Sequence, residues 1–415
     1  MTEDKGVPGY AGKLNDSCVT IAEVLRPAGY FTAMSGKWHV GQNLGLVPWE
    51  RGFDRSLNAA AGGFYYAGGD KAKAKLFLNG DVIANDDPRL PKDWYSTDLW
   101  TTFGLQFIDE ALAAKKPFYL HLCHNAPHFP LQAPADAIAK FRGQYKAGWG
   151  ALRDARIQRQ REMGIIDAAW EKSPRPAVIK AWKDHTPEEQ DRFDHLMAVY
   201  AATMHRMDKA IGDLVNGLKD RGVLENTLIL FMSDNGGNAE SGPNGRTDGD
   251  PTQAASNWFC GESWAFLQNA PFRKYKHYNH EGGIATPLIA HWPAPGGVNP
   301  SFHGNRIGNF SRKALGGSLC HTPAHLIDIM ATCVDVAGAS YPTELNGKTI
   351  TPMEGKSLKN VFLGQALEAR TLFWEHEGNA AVRLGDLKLV PTRRNGPWEL
   401  YDVKADRPEQ PDLAA

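Results

Sequence analysis

The apolar run Leu228-Ile229-Leu230-Phe231-Met232 leads directly into Ser233-Asp234-Asn235-Gly236-Gly237. Such a run reads as a buried parallel strand, and the polar residues after it stand at its carboxyl end, where open α/β sheets place their ligands. A carboxylate and an amide oxygen are hard donors, and two glycines let backbone approach closely, so the pair suits Ca²⁺ or Mg²⁺ better than a soft metal. Taken alone, Asp-Asn-Gly-Gly is also ordinary turn chemistry.

Other segments end in the same way. Phe31-Thr32-Ala33-Met34 runs into Gly36-Lys37-Trp38-His39, where a glycine permits a tight exit and a lysine and a histidine can face one cleft. Phe118-Tyr119-Leu120-His121-Leu122-Cys123 runs into His124-Asn125-Ala126-Pro127-His128-Phe129-Pro130, whose prolines stiffen the loop that carries His128. Lys276 precedes Glu281-Gly282-Gly283 and the run Pro287-Leu288-Ile289-Ala290-His291-Trp292-Pro293. Pooled, these segments describe an anion site: an oxygen-ligated cation, two lysines and two histidines that clamp a tetrahedral oxyanion and protonate its leaving group. Each part has a plainer reading. A single lysine after a strand is ordinarily solvated, and His39 or His128 taken singly reads as a structural histidine. His121 and His291 lie inside apolar strands and read as core or sheet-face residues. Glu281 reads as a turn former or a lysine's partner.

The phrases Ser35-Gly36-Lys37-Trp38-His39-Val40-Gly41, Asn125-Ala126-Pro127-His128-Phe129-Pro130 and Ser233-Asp234-Asn235-Gly236-Gly237, residues 276–287 and 325–338, and Trp398-Glu399-Leu400-Tyr401-Asp402 onward to Leu413-Ala414 together resemble a type I sulfatase. The resemblance is to the arylsulfatase group of the alkaline phosphatase superfamily and spans nearly the whole chain in the family's order. It implies an α/β fold with an alkaline-phosphatase-like mixed, mostly parallel sheet between helices and a small C-terminal antiparallel subdomain. It also implies that Asp234 and Asn235 ligate calcium (Mg²⁺ being the alternative), that Lys37 and Lys276 hold sulfate oxygens, that His128 serves the leaving-group oxygen, and that His39 lies near the nucleophile and assists sulfate release. The substrate implied is a small-molecule or saccharide sulfate ester, and the location implied is periplasmic or secreted.

One part of the pattern is missing. Sulfatases carry, upstream of Gly-Lys-Trp-His, a strand ending in paired aspartates and a Cys-x-Pro-Ser-Arg helix start whose cysteine becomes formylglycine. None of Cys18, Cys123, Cys260, Cys320 and Cys333 stands in that context, and Ser173-Pro174-Arg175 has the wrong spacing and place. Residues 1–17 are polar and contain no four-residue apolar run for a strand. The expectation is a chain cut at both ends, with residues 1–365 a catalytic domain short of its first strand and nucleophile and residues 366–415 part of the C-terminal subdomain. It follows that metal binding is weak and sulfate ester turnover impaired. The rival readings are a phosphatase or phosphodiesterase of the same superfamily and a remnant without catalysis.

Composition adds exclusions. With 46 basic and 47 acidic residues there is no global field for nucleic acid or an anionic membrane, so the positive charge an anion needs is local. No run reaches the roughly 20 apolar residues of a membrane span, and five irregularly spaced cysteines argue against a disulfide scaffold or a zinc site. Oligomeric state is not legible.

The pattern between the site segments predicts helices over residues 19–28 and 98–115. The clearest helix starts at Thr186-Pro187-Glu188-Glu189 with a capping box. Its stripe Phe193, Leu196, Tyr200, Met204, Met207, Ile211, Leu214 and Leu218 is read as packing over the strand at Leu228. Residues 145–176 and 239–269 read as long loops walling the pocket, with Trp258, Trp264 and Phe266 either stacking on a substrate ring or anchoring the loop. Another helix is read over residues 325–338. A hairpin about Gly385-Asp386 with a third strand at Trp398-Glu399-Leu400-Tyr401 forms the small antiparallel part. His376 and Glu377 are read as surface residues of that part, within reach of the cleft.

Overall fold

The computed structural model describes residues 4–42, 45–60, 64–67, 75–293, 319–410 and 412–414. Thr20 caps the first helix, α1 (Ile21–Leu25), by accepting from the Glu23 backbone N–H, while the Glu23 side chain accepts from the Thr20 backbone. Helix α1 is shorter than the pattern predicts. It is followed by β1 (Phe31–Lys37), β2 (Arg55–Ala59), β3 (Leu76–Leu78) and β4 (Asp81–Ile83), then helix α2 (Ser96–Ala113) and strand β5 (Phe118–Cys123). These strands form one sheet in the order β4-β3-β2-β1-β5. Strand β1 pairs in parallel with both β2 and β5, whereas β2, β3 and β4 pair antiparallel.

Strand β1 is buried along its length up to Lys37, its polar Thr32 and Ser35 included, because both of its faces are covered. Phe31 and Ala33 join the cluster of Leu99, Trp100, Phe103 and Phe107 from α2, while Met34 turns the other way onto Ala22 of α1, Trp38 and Phe53. The sheet therefore lies between two helical layers, and its strand ends are fixed from both sides.

Helices α3 (Ala135–Ala139) and α4 (Gly148–Glu162) precede the 34-residue α5 (Pro187–Asp220), whose Thr186/Glu189 capping box and Pro at its start are as expected. Its buried stripe includes Phe193, Leu196, Met207 and Leu218, but Met204 is exposed. Met207 and Ile211 meet Phe231 beside Tyr65, Tyr95 and Ala126, so contact with the following strand is made by the middle of the helix.

That strand, β6 (Ile229–Met232), departs from expectation. After it come the short strands β7 (Arg246–Asp248) and β8 (Asn257–Phe259), helices α6 (Gly261–Gln268) and α7 (Glu281–Ile284), and strand β9 (Leu288–His291). Strand β6 is half-buried and, among the described residues, pairs only with β9 and antiparallel to it, rather than forming a buried parallel strand of the main sheet. Among the described residues the second edges of β5 and β6 carry no strand partner. His121 on β5 and His291 on β9 are exposed, which fits a sheet-face role and not a core one.

The two predicted long loops are corrected as well. Helix α4 occupies much of residues 145–176, and a hairpin plus α6 occupy much of 239–269. Periodicity failed because the stabilising residue of α4 is a cation: Arg153 is buried, lies 4.2 Å from the Phe266 ring centroid and donates to the carbonyls of Phe266 and Pro271. Trp258, Trp264 and Phe266 are buried in the largest aromatic cluster with Trp149 and Phe193, so they anchor this layer and are not presented to a substrate.

In the C-terminal part, helix α8 (Ile327–Ala337) ends at Gly338 with φ of 61°, the left-handed stop its glycine predicts. Strands β10 (Glu344–Leu345) and β11 (Lys348–Thr349) and helix α9 (Lys359–Phe362) lead to a four-stranded antiparallel sheet of β12 (Thr371–His376), β13 (Asn379–Leu384), β14 (Leu387–Pro391) and β15 (Trp398–Asp402), in that order. The pattern missed β12, whose exposed face carries the apolar Phe373 beside Thr371 and Glu375, so burial alternates along the strand while hydrophobicity does not. Among the described residues no helix is long and apolar enough to cross a membrane.

Candidate active site

Lys37 closes β1, with its backbone in register with Ala59 of β2. The next two residues stay tied to that side, Trp38 N–H donating to the Ala59 carbonyl and His39 N–H to that of Ala60. Gly36 makes this exit feasible. Its φ is 125° and a Cβ there would stand 2.0 Å from the Cys123 carbonyl oxygen, so the β1–β5 seam closes only over glycine. After β5, Asn125 is buried, its Oδ1 accepting from Ser96 and Trp100 and its Nδ2 donating to the Phe64 carbonyl. The loop beyond it presents His128, whose carbonyl accepts from Tyr65 Oη at 2.8 Å.

Asp234 and Asn235 follow β6 with Asn235 Nδ2 donating to Asp234 Oδ1 at 2.6 Å, and the Asp234 side chain is exposed. Gly236 packs where a Cβ would lie 1.8 Å from the Gly282 carbonyl oxygen, and Lys276 N–H donates to the Gly237 carbonyl at 3.1 Å. These two contacts hold the segment carrying Lys276 against the Asp234 turn.

The electrostatics show how the pieces meet. Burial pushes the Lys37 ammonium down from its ordinary value, opposed by the negative charge of Asp234 and assisted by the positive charge of Lys276. His39 is solvent-accessible at its rim, yet the surrounding protein, then the charges of Lys37 and His128, bring its imidazole down to about 4. His128 is lowered by burial and then by Lys37, with Glu240 pulling the other way. Lys276 Nζ reaches Glu240 Oε1 at 3.2 Å and lies 5.9 Å from the Phe129 ring centroid. Lys37, His39, His128, Asp234 and Lys276 thus act on one another through space, and Asn235 is hydrogen-bonded to Asp234. The structure brings the six predicted residues together around the ends of β1, β5 and β6.

The His128 ring makes a 2.6 Å contact from Nδ1 to the Phe129 carbonyl. A carbonyl only accepts, so Nδ1 carries the proton and Nε2 is the atom left for chemistry. Among the described residues Asp234 and Asn235 are two hard oxygen donors at one turn. Their chemistry fits part of a calcium shell of roughly six to eight oxygens.

Sequence reading passed over three side chains. Glu240 pairs with Lys276, and His277 lies 3.2 Å from the same carboxylate oxygen. Both ring nitrogens of His124 are buried without a partner, and burial takes the ring down to about 4. His277 had a signal in its adjacency to Lys276, but the other two had none in periodicity. Glu281 proves to be a lysine's partner: its carboxylate takes Lys388 Nζ at 2.8 Å and Arg407 Nε at 2.7 Å. Burial works against its charge, but Lys388 and Arg407 outweigh that and hold Glu281 down at about 2.

The sulfatase family model matches residues 2–339. An uncharacterized sulfatase of Schizosaccharomyces pombe is 32% identical over 441 residues, covering 99% of this chain and 76% of that protein. An arylsulfatase of Klebsiella aerogenes is 31% identical over 372 residues, covering 86% and 75% respectively. Among solved structures, Ps i-CgsB in complex with k-i-k-neocarrahexaose superposes with a TM-score of 0.59 at 22% identity, covering 97% of this chain and 72% of that one. BT4656 in complex with its substrate D-glucosamine-2-N,6-O-disulfate gives 0.56 at 19% identity, covering 98% and 80%. The order of motifs, the mixed sheet with its antiparallel C-terminal partner, and these likenesses agree: the chain belongs to the sulfatase family, hydrolases of sulfate esters.

Proposed function

We propose that the cleft binds the sulfate group of a saccharide or other small-molecule sulfate ester, with Lys37 and Lys276 on the sulfuryl oxygens and Asp234 and Asn235 as two ligands of a calcium ion. The supporting observation is the convergence of two lysines, two histidines and a carboxylate that sense one another's charge at the ends of β1, β5 and β6. Two ammonium groups brought together with partial burial repel each other, and an anion between them relieves that repulsion. Bound calcium would offset sulfate charge and polarise a sulfuryl oxygen.

His128 has its Nδ1 proton committed to the Phe129 carbonyl, so it delivers a proton to the leaving oxygen from Nε2 once the ring has taken up a second one. Lys37 opposes that uptake, whereas Glu240 and the substrate's own charge favour it. His39, neutral through the neutral range, is suited to accept a proton beside the attacking group and assist sulfate release. Formylglycine is the nucleophile of the family pattern, and no cysteine of this sequence stands in the Cys-x-Pro-Ser-Arg context that yields it. The 415-residue polypeptide taken by itself is therefore expected to bind sulfate esters and to turn them over poorly. In this reading residues 1–365 carry the cleft and residues 366–415 brace it through Lys388 and Arg407.

The test pairs a sulfated sugar with its phosphate analogue, in binding and in turnover, with and without Ca²⁺. Calcium-enhanced binding of the sulfate ester with turnover far below that of the Klebsiella arylsulfatase is expected. Equal turnover by the two proteins would refute the impairment, and preference for the phosphate would favour a phosphatase.

A further inference from the structure

The turn between β12 and β13 brings a second set of ligating side chains against the segment that carries Lys276. One ligand atom from each of His277, His376 and Glu377 lies within 4.8 Å of the other two. The two imidazoles stack with centroids 5.6 Å apart and planes 21° from parallel. His277 stands between two carboxylates, its Nδ1 3.0 Å from Glu377 Oε2 and its Nε2 3.2 Å from Glu240 Oε1.

Backbone contacts hold this arrangement in place. His277 and Glu377 have φ of 80° and 52°, conformations that side-chain-bearing residues adopt only when their surroundings impose them. Asn379 Nδ2 donates to the His277 carbonyl at 2.9 Å, Glu377 N–H donates to Tyr10 Oη at 2.6 Å, and Gly378 N–H donates to Glu375 Oε1 at 2.8 Å. The turn is thereby joined to the Lys276 segment and to the N-terminal stretch at once.

We propose that His277, His376 and Glu377 bind one divalent transition metal ion, Zn²⁺ in the first instance, at a site separate from the Asp234/Asn235 turn. Two imidazoles and one carboxylate suit zinc, whereas the hard oxygens of Asp234 and Asn235 suit calcium. Tetrahedral ligand atoms at about 2.0–2.2 Å from zinc are roughly 3.4 Å apart, so side-chain rotation is enough to close the set. With Nδ1 of His277 on the metal, its Nε2–H donates to Glu240, the outer carboxylate that orients a ligating imidazole. A water molecule takes the fourth position. Because Glu240 is also the partner of Lys276, occupancy of this site fixes the carboxylate that positions a lysine of the sulfate cleft.

The experiment titrates Zn²⁺ alone, and separately Co²⁺ alone, into the metal-free 415-residue protein. One equivalent is expected to bind, with cobalt d–d absorption and no sulfur-to-cobalt charge-transfer band. Affinity should fall tenfold or more in His376→Gln and in Glu377→Gln, and hold within twofold in Asp234→Asn. Glu377 is exposed, so its variant keeps the test sound where a histidine variant loses its fold, as read by circular dichroism. Absence of binding, unchanged affinity in the folded variants, or a thiolate charge-transfer band would each overturn the proposal.

Discussion

The two sides of the cleft are built differently. Lys37 and His39 leave a strand that is paired on both edges and packed on both faces, whereas Asp234 and Asn235 leave a strand whose one partner among the described residues is β9, and Asp234 stands toward solvent. On the first side, packing fixes the groups and desolvation lowers their charge affinity, so a bound anion is worth more to them. On the second, the Asp234 carboxylate is exposed and the turn is held by glycine contacts, which suits the cation proposed for it. On the proposed reading the two lysines meet the anion from opposite sides, Lys37 from the β1–β5 side and Lys276 from the segment tied to Gly237, while Asp234 and Asn235 would add to anion binding only through a bound cation.

The sharpest way to break this contrast is at the seam. Gly36→Ala forces a Cβ onto the Cys123 carbonyl at a positive φ, and we expect a loss of about 3 kcal/mol or more in urea unfolding. A stable Gly36→Ala protein would show that the β1–β5 exit is not rigid. Next in size, Lys37→Met should weaken binding of inorganic sulfate by about ten- to a hundredfold, the range for a lost charged hydrogen bond. Asp234→Asn should do so only in the presence of Ca²⁺, and without it should leave affinity unchanged or slightly raised. Equal losses in both variants without calcium would erase the distinction between the two sides.

A smaller effect is pH-dependent. His124 is held down near 4 by burial and His39 by desolvation together with the charges of Lys37 and His128, against an ordinary value of 6.5, so the unfolded chain binds protons first as pH falls. Their contribution to stability is whole above about 6.5 and is lost as pH falls toward about 4. Urea midpoints measured across that window should fall, and His124→Phe should flatten the slope. Thr186→Ala, which removes the α5 cap far from both sides, should cost about 1 kcal/mol and leave sulfate affinity unchanged. Ile289→Thr on exposed β9 should change stability by less than about 0.5 kcal/mol.

Legibility in the amino-acid sequence follows the same division. Strand ends with glycine exits and capped helices are readable because local chemistry dictates them: Thr186 and Glu189 cap reciprocally, Gly338 stops a helix, and Gly36 meets a carbonyl. The partner of β6 is not readable, since an apolar run carries no label for parallel or antiparallel pairing. Helix α4 is hidden because Arg153, a cation, occupies a core position, and burial decides for the anchoring reading of Trp258, Trp264 and Phe266, a choice the sequence leaves open. The Lys388, Glu281 and Glu409 cluster is invisible for the same reason: over a hundred positions separate Lys388 from Glu281, and a buried ion pair has no periodic signature.

The most direct measurement is calorimetric titration of inorganic sulfate, with Ca²⁺ present, into the protein and into Lys37→Met and Lys276→Met. A single anion held between both lysines predicts that each replacement weakens binding about tenfold or more, with helical content unchanged. Retention of the unaltered affinity by either variant would contradict a shared site at the ends of β1, β5 and β6.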